Sequence, residues 1–445
     1  MTPHVNPRTA HLNVRTAHIT VVSHATPPET YIRSGQGVYM TTSDRRESGF
    51  KSRTPVATAR ERLLEAVTPH ERSETVRLQA ADGRVLAESV TAPNPVPGYD
   101  RAAMDGYAVR AEDTFGASDR SPTVLTETED SVGPREARRV HTGSAVPDGA
   151  DAVVMIEETE SIGTDVEVFD GVARGENVGD AGEDVEAGQT LYQPGHRLRP
   201  SDLGLLKSVG IFEVEVYEPP SVGVVPTGEE LVQTDPAPGE VIETNGLTVS
   251  RFADRWGATA TYRNIVTDDR AALRAAIQRD LTKDVIVTTG GSSVGERDLI
   301  PDVVDDLGEV LVHGVALKPG HPVALGVVEE TPVIMLPGYP VACIVNAVQF
   351  LRPALKRAGS LPIEPLPTRE ATLEKKIPSE PGTRTFARVR TESTADGVVA
   401  TPTRASGSGV LSSVALADGW VVVPEDREGY GAGETVTVED WEALP

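Results

Sequence analysis

The sequence predicts a multidomain protein of the α/β plus β class, with a central α/β domain on a mainly parallel sheet. Three observations predict it. Between residues 222 and 357, short Val- and Ile-rich runs alternate with helical patterns, as expected of strands joined by crossover helices. From Tyr107 to about Gly188, and again beyond Pro362, short apolar runs separated by Gly, Asp and Pro read as small β-rich modules. A chain of 445 residues also exceeds what a single hydrophobic core organises, so several domains are expected.

The elements follow in order. Thr54-Pro55 before Val56, Ala59, Leu63, Leu64 and Val67 reads as an amphipathic helix with Thr54 as N-cap and Pro55 at its first position. A strand is expected near 85–90, and Ala152 to Ile156 and Val166 to Phe169 are strands of the first β-rich module. Ser201 to Ser208 reads as a short helix closed by Gly210, and a strand at 212–217 leads to the boundary Pro219-Pro220. Strands are then expected at 222–225, 259–265, 285–288, 309–316, 323–327 and 333–336, with helices near 247–256, 270–279, 299–306 and 341–357. Five further strand-like pieces follow between Ala371 and Val438.

Composition narrows the function classes. Acidic residues outnumber basic ones 67 to 42, a formal charge of -25. That balance argues against nonspecific nucleic-acid binding, which depends on attraction between basic side chains and phosphate. Scattered acids suit a solvated surface in a salt-rich, halophilic cytoplasm, where screening weakens self-repulsion. No apolar run reaches membrane-spanning length, and no secretory signal is recognisable, so a cytoplasmic protein is expected. The single cysteine, Cys343, excludes an intrachain disulfide framework and a multi-cysteine metal site. Residues 1–52 are expected to be a disordered tail or a gene-model extension.

Ligands of open α/β sheets sit outside the carboxyl ends of the strands. Three loops there have unusual composition: Pro226 to Glu230, Thr288 to Asp298, and Leu336 to Pro340. In the second, Gly290 and Gly291 allow close backbone approach to an anion, and Ser292 and Ser293 add hydroxyls. It is neither a P-loop nor a dinucleotide fingerprint, and a tight turn before a helix explains it equally well. Glu230, Asp268 and Asp298 stand at neighbouring sheet ends. Converging carboxylates repel unless a cation joins them, and Mg²⁺ suits that donor set. Asp269 reads as a helix N-cap, leaving Asp268 as the ligand candidate. Lys318-Pro319-Gly320 can present a lysine to an anion, although a solvated surface lysine fits as well. Met104-Asp105-Gly106-Tyr107 is open between a site carboxylate and an Asp-Gly turn.

These segments also carry a family likeness. Val96 to Asp100 leading into Ala103 to Val109, then Thr142-Gly143, Gly182 to Asp184, Thr227 to Leu231, Gly290 to Gly295 with Asp298, Lys318 to Gly320 and Leu336 to Gly338 recur in order. In these the chain resembles the molybdopterin molybdenumtransferase family, which includes the MoeA proteins and the corresponding domain of gephyrin. The resemblance runs from about 53 to 440. It implies a discontinuous linker domain (53–91 and 182–219), a β-rich arm (92–181), a molybdopterin-binding α/β domain (220–361) and a small β-barrel-like C-terminal domain (362–445). It further implies an elongated homodimer whose cleft lies between the α/β domain of one subunit and the arm of the other.

The implied reaction is Mg²⁺-dependent insertion of molybdate, or tungstate, into adenylylated molybdopterin with release of AMP. By this likeness Asp298, Glu230 and Asp268 hold Mg²⁺ and position the pterin nucleotide, while Asp105 and Asp184 contribute from the arm and its junction. Thr142, Thr227, Gly228, Gly290 to Ser293, Lys318, Pro337, Gly338, Pro340 and Arg388 are the expected binding residues. Recipient molybdoenzymes and other cofactor-biosynthesis proteins are the expected partners. The chain departs from well-known members at His321, at Tyr339 and at Val178 to Asp180, where positive charge or Asn is common; this leaves metal choice open. The competing readings are adenylylation of molybdopterin, a noncatalytic scaffold, and a sugar- or nucleotide-binding module.

Overall fold

The central sheet is built from runs whose side chains must be covered on both faces. Val285, Ile286 and Val287 are fully buried, as are Val333, Ile334, Met335 and Leu336. Alternate members face opposite helix layers. Val285, Val287, Ile334 and Leu336 join one core with the helix Asn245–Arg255 and the long C-terminal helix, whereas Ile286, Val333 and Met335 join another with Arg270–Arg279 and Leu299–Leu307. The computed structural model describes residues 53–290, 299–403 and 409–443. The tail expected at 1–52, and Gly291, Ser292, Ser293 and Asp298 of the second loop, lie outside the described residues.

The six strands run in the order Thr259–Tyr262, Ser221–Pro226, Val285–Thr289, Thr331–Leu336, Ala324–Val328, Glu309–His313. The first four pair in parallel. Ala324–Val328 runs antiparallel to both neighbours. The mainly parallel sheet expected from the alternating pattern is therefore present.

The long helix covering this sheet runs Pro340–Asn346, then a π turn Ala347–Leu351, then Arg352–Ala358. Pro353 cannot donate to the carbonyl four residues earlier, that of Gln349. Arg60 takes its place: its Nε donates to the Gln349 carbonyl at 3.1 Å, and its guanidinium also meets the Gln349 side chain at 2.5 Å. Arg60 lies on the helix Val56–Glu65, whose Val56, Ala59 and Leu63 are fully buried in the same core as the sheet. That helix, assigned from the sequence to the linker segment, thus packs on the α/β domain. Thr54 does not cap it. The Thr54 backbone bridges in parallel with Val315, accepting from Ala316 and donating to Gly314, which removes it from the capping position.

Ser73–Arg77 pairs antiparallel with Glu213–Tyr217, and Val90–Thr91 with Thr190–Tyr192, so the linker module is assembled from two distant stretches. Its helix Pro200–Ser208 buries Asp202 against Arg199, His196 and Tyr192. Between those stretches the arm forms a six-stranded sheet ordered Ala152–Met155, Gly106–Val109, Glu136–Val140, Thr123–Glu127, Asp165–Val168, Thr159–Ile162. At the C-terminus Arg384–Thr394, Gly397–Pro402, Thr368–Leu373, Thr435–Glu439 and Gly419–Val423 pair successively, and the last returns to the first. This is a closed five-stranded barrel. A parallel pairing of Leu317–Lys318 with Arg384 and Thr385 joins it to the α/β domain.

Candidate active site

Three strand ends meet at the carboxyl edge of the parallel sheet. Pro226 pairs with Thr289, and Thr289 with Leu336, so the three loops that follow start side by side. Gly290 is held between them, its amide donating to the Leu336 carbonyl at 3.1 Å. Its φ of +130° is open to glycine, and a Cβ there would lie 2.1 Å from the Thr227 carbonyl oxygen. Gly338 lies against it in ordinary contact, since a Cβ on it would stand 3.5 Å from the Gly290 Cα. The Asn245 side chain donates to the Gly338 carbonyl at 2.7 Å and fixes that turn. Pro337 is buried within it, and Pro340 opens the following helix as its rigid φ favours.

Beneath this backbone lie three orphaned hydroxyls. Thr227, Thr288 and Thr289 are each 1% exposed, and among the described residues none of their Oγ1 atoms has a hydrogen-bond partner. Buried polar atoms are ordinarily paired, and leaving one unpaired costs roughly 1–3 kcal/mol. Three such atoms lie at the ends of two adjacent strands, Thr288 and Thr289 facing opposite sides of the sheet as successive strand residues do.

The carboxylates gather at this edge. Gly228, at φ +150°, leaves space for the Glu230 carboxylate, whose oxygens would lie 2.9 and 3.0 Å from a Cβ at that position. Val266 bridges in parallel with Thr227 and brings Asp268 to the same edge. Burial pushes the Asp268 carboxyl above its ordinary range, and the nearby charges of Glu230 and Glu229 push it further, partly offset by the Glu229 amide. Asp269 accepts from the Ala272 amide at 2.9 Å and caps the next helix, as the sequence predicted. Among the described residues no group of three or more His, Cys, Asp or Glu side chains is placed to hold a metal ion. The third expected ligand, Asp298, lies outside them.

Other expected site residues fall elsewhere. Lys318 is exposed, and its Nζ stands 3.1 Å from Glu380 at the junction with the barrel. His321 nearby is half-buried, with its imidazole pushed down by burial and then by Arg53 and Lys318. Arg388 is buried in the barrel, where its guanidinium contacts the Phe386 carbonyl and the Ser413 hydroxyl at 3.4 Å and its Nε has no partner. Asp105 and Thr142 do meet: the Thr142 amide and hydroxyl donate to the Asp105 carboxylate at 2.6 and 2.8 Å. Those two bonds, with His141 and Arg139 nearby, hold this exposed carboxyl below its ordinary range. Asp184 is exposed, and its amide donates to the Val96 carbonyl. Among the described residues no hydrogen bond or ion pair joins Asp105 or Asp184 to Glu230, Asp268 or Gly290.

Comparison with known proteins fits this arrangement. Residues 54–210 match the MoeA N-terminal region (domain I and II), 223–357 the probable molybdopterin binding domain, and 370–441 the MoeA C-terminal region (domain IV). A putative molybdopterin biosynthesis protein of Methanocaldococcus jannaschii is 36% identical over 392 residues, covering 85% of this chain and 94% of that protein. The chain belongs to the MoeA family. The molybdopterin molybdenumtransferase of Bacillus subtilis is 33% identical and covers 82% of this MoeA chain and 89% of its own. Two crystal structures of the MoeA protein from Pyrococcus horikoshii, 33% and 31% identical, superpose with TM-scores of 0.76 and 0.74 and cover 88% and 87% of this chain and 100% of theirs. As a member of a family of molybdopterin molybdenumtransferases, this MoeA chain is an enzyme. No helix among its described residues is long and apolar enough to cross a membrane.

Proposed function

We propose that this MoeA family member inserts molybdate into adenylylated molybdopterin, with release of AMP, at the carboxyl edge of its parallel sheet. The observation that carries the reading is the pairing of opposites there: orphaned Thr227, Thr288 and Thr289 hydroxyls beside an Asp268 carboxyl that burial and then Glu230 push above its ordinary range. The hydroxyls and the Gly290 backbone offer donors to an anion. The carboxylates call for a cation.

That donor set fits Mg²⁺, a hard ion served by carboxylate oxygens. Glu230 and Asp268 would hold it, with Asp298 as a third ligand. Bound there, it would neutralise the phosphates of the linkage and polarise phosphorus. The chain's own residues then have separate tasks. Gly290 and Gly338, close together, let the nucleotide lie against backbone, and Asn245 keeps the Gly338 turn in place. Attack of a water or molybdate oxygen on the adenylyl phosphorus breaks the phosphoanhydride bond, so AMP leaves with the attacking oxygen and the pterin keeps its own phosphate. Molybdate gives up oxygen as water as the two dithiolene sulfurs take the metal. No covalent side-chain nucleophile takes part. Lys318 lies at the barrel junction as a cation for the incoming oxyanion, in competition with Glu380.

Asp105 belongs in the same reading through a second copy of the chain. With no bond to the sheet edge of its own chain among the described residues, it reaches the site if the arm of one protomer meets the α/β domain of its partner. The deciding assay incubates purified protein with adenylylated molybdopterin, Mg²⁺ and either molybdate or tungstate. AMP release that depends on the oxyanion, with metal appearing on the pterin, is the expected result and ranks the two metals. Formation of adenylylated pterin from ATP, without oxyanion-dependent release, would move the enzyme to the preceding step.

A further inference from the structure

A cavity of about 340 Å³ lies between the linker module and the α/β domain, away from the strand ends. The linker contributes Asp82, Arg84 and Arg197 to its wall, and the α/β domain contributes Asp254, Arg255 and Lys356. Most of these charges are already answered. Arg84 pairs with Glu74 at 2.7 Å and donates to the Tyr217 carbonyl, and Arg255 pairs with Glu442 at 2.7 Å. Asp254 pairs with Arg251 and accepts from the Ala260 amide. Arg197 stands 3.8 Å from Glu364.

Lys356 differs. It is 3% exposed, yet among the described residues it makes no side-chain hydrogen bond or ion pair. The nearest charges are Arg197 and Arg352, both repulsive, and Glu364, which already faces Arg197 and lends its backbone carbonyl to Arg352 at 2.6 Å. An ammonium buried along its stem still needs an acceptor at its tip, and with none from the protein that acceptor must come from the one side on which the tip is open. The space next to Lys356 is the cavity, and the rest of its wall includes Tyr217, Leu361 and Pro362.

From this juxtaposition we infer that the cavity is a second ligand site, which takes a small phosphate-bearing molecule with its anionic group on Lys356. The volume falls in the range of small-molecule pockets, roughly 300–1,000 Å³. With the wall arginines already facing Glu74, Glu442 and Glu364, Lys356 is the cation left for an anion, and the apolar side accommodates an organic body. Because the ligand would touch both modules, its binding fixes their mutual orientation. This site does not depend on the reaction proposed for the sheet edge.

Lys356 itself reports occupancy. Burial first, then Arg197 and Arg352, pushes its ammonium down to about 8. An anion at bonding distance reverses that, and each unit regained lowers the reactive neutral amine about tenfold at neutral pH. Competitive acylation of the intact protein, read by peptide mass spectrometry, measures this at Lys356 against the exposed Lys207 and Lys376. The probes are inorganic phosphate and AMP, with chloride matching the ionic strength, in wild type and in Asp268→Asn. Protection of Lys356 in both proteins, about tenfold and with the reference lysines unchanged, is expected. Protection by both probes assigns recognition to the phosphate group, and protection by AMP alone shows that the apolar wall contributes. No protection by either probe overturns the site. Calorimetry gives an independent reading, with Lys356→Met expected to take up one equivalent fewer than wild type. Equal uptake also overturns it.

Discussion

The arm and the sheet edge each present a carboxylate expected at the site, and the two are in opposite electrostatic states. Asp105 in the arm accepts an amide and a hydroxyl from Thr142, and its carboxyl is held low. Asp268 at the sheet edge is half-buried beside Glu229 and Glu230, and its carboxyl is pushed high. The first is occupied in shaping a turn and is content as an anion. The second is pushed toward its protonated form by burial and by the neighbouring carboxylates. A carboxylate singled out from the sequence can therefore shape a turn or stand under repulsion, and the neighbours decide which.

The largest effect should come from removing the Asp268 carboxylate. Asp268→Asn should lower oxyanion-dependent AMP release by about 100-fold or more, the usual loss for a group acting on transition-state charge, while its melting temperature stays level or rises because repulsion with Glu230 is relieved. A large fall in melting temperature, with activity retained, would erase the contrast between the two carboxylates.

A third carboxylate sharpens the contrast in stability. Burial works to raise Asp202, but Arg199, His196 and Tyr192 overcome it and hold its carboxyl far below the ordinary range. A depressed carboxyl contributes stability above its unfolded value and loses it as pH falls toward the folded one. Asp202→Asn should then destabilise the linker module by about 3 kcal/mol at neutral pH, with the difference from wild type shrinking below about pH 4. Denaturant melts across pH measure this, and a pH-independent difference would count against the ion cluster as its source.

A mixing experiment joins the two regions. Asp105→Asn and Asp268→Asn chains, unfolded together and refolded, should regain roughly a quarter of wild-type activity if each site draws on both protomers, because half the dimers are mixed and each mixed dimer has one intact site. Recovery of none would place both carboxylates in a single-chain site. The smallest effect concerns Lys356. Its ammonium titrates lower in the folded chain, about 8 against 10.5, so the unfolded chain binds more protons between those values. Stability relative to Lys356→Met should rise with pH over that interval, and saturating phosphate should flatten the rise.

Much of this was legible in sequence because the central strands are continuous apolar runs whose period and spacing leave few alternatives. The three sheet-end loops, the Asp269 cap and the mainly parallel sheet were all readable that way. Partner choice was not. The apolar stripe of Val56–Glu65 announces that the helix is buried, but nothing local says against which module, and Thr54 pairs with Val315 through backbone atoms common to every residue. The orphaned hydroxyls of Thr288 and Thr289 ended a strand already recognised, yet a threonine in a strand is ordinary until its partners are counted. Lys356 was hidden for a similar reason: in Arg352-Pro353-Ala354-Leu355-Lys356-Arg357 it reads as a solvated helix face. Asn245 had no signal beyond its place at a helix start.

The strand pair at the root of the arm has a consequence for how such enzymes diversify. Val90–Thr91 and Thr190–Tyr192 lie side by side, with the Ala92 amide bonded to the Gln189 carbonyl. The chain thus leaves for the arm and returns from it at nearly one point, and everything between is a graft on a stem that closes without it. Such a graft can be lengthened, exchanged with a relative's or trimmed back to a short turn while the ladder at its base keeps its register. Residues of the arm can therefore vary while the stem, and the modules it springs from, keep their own pairings.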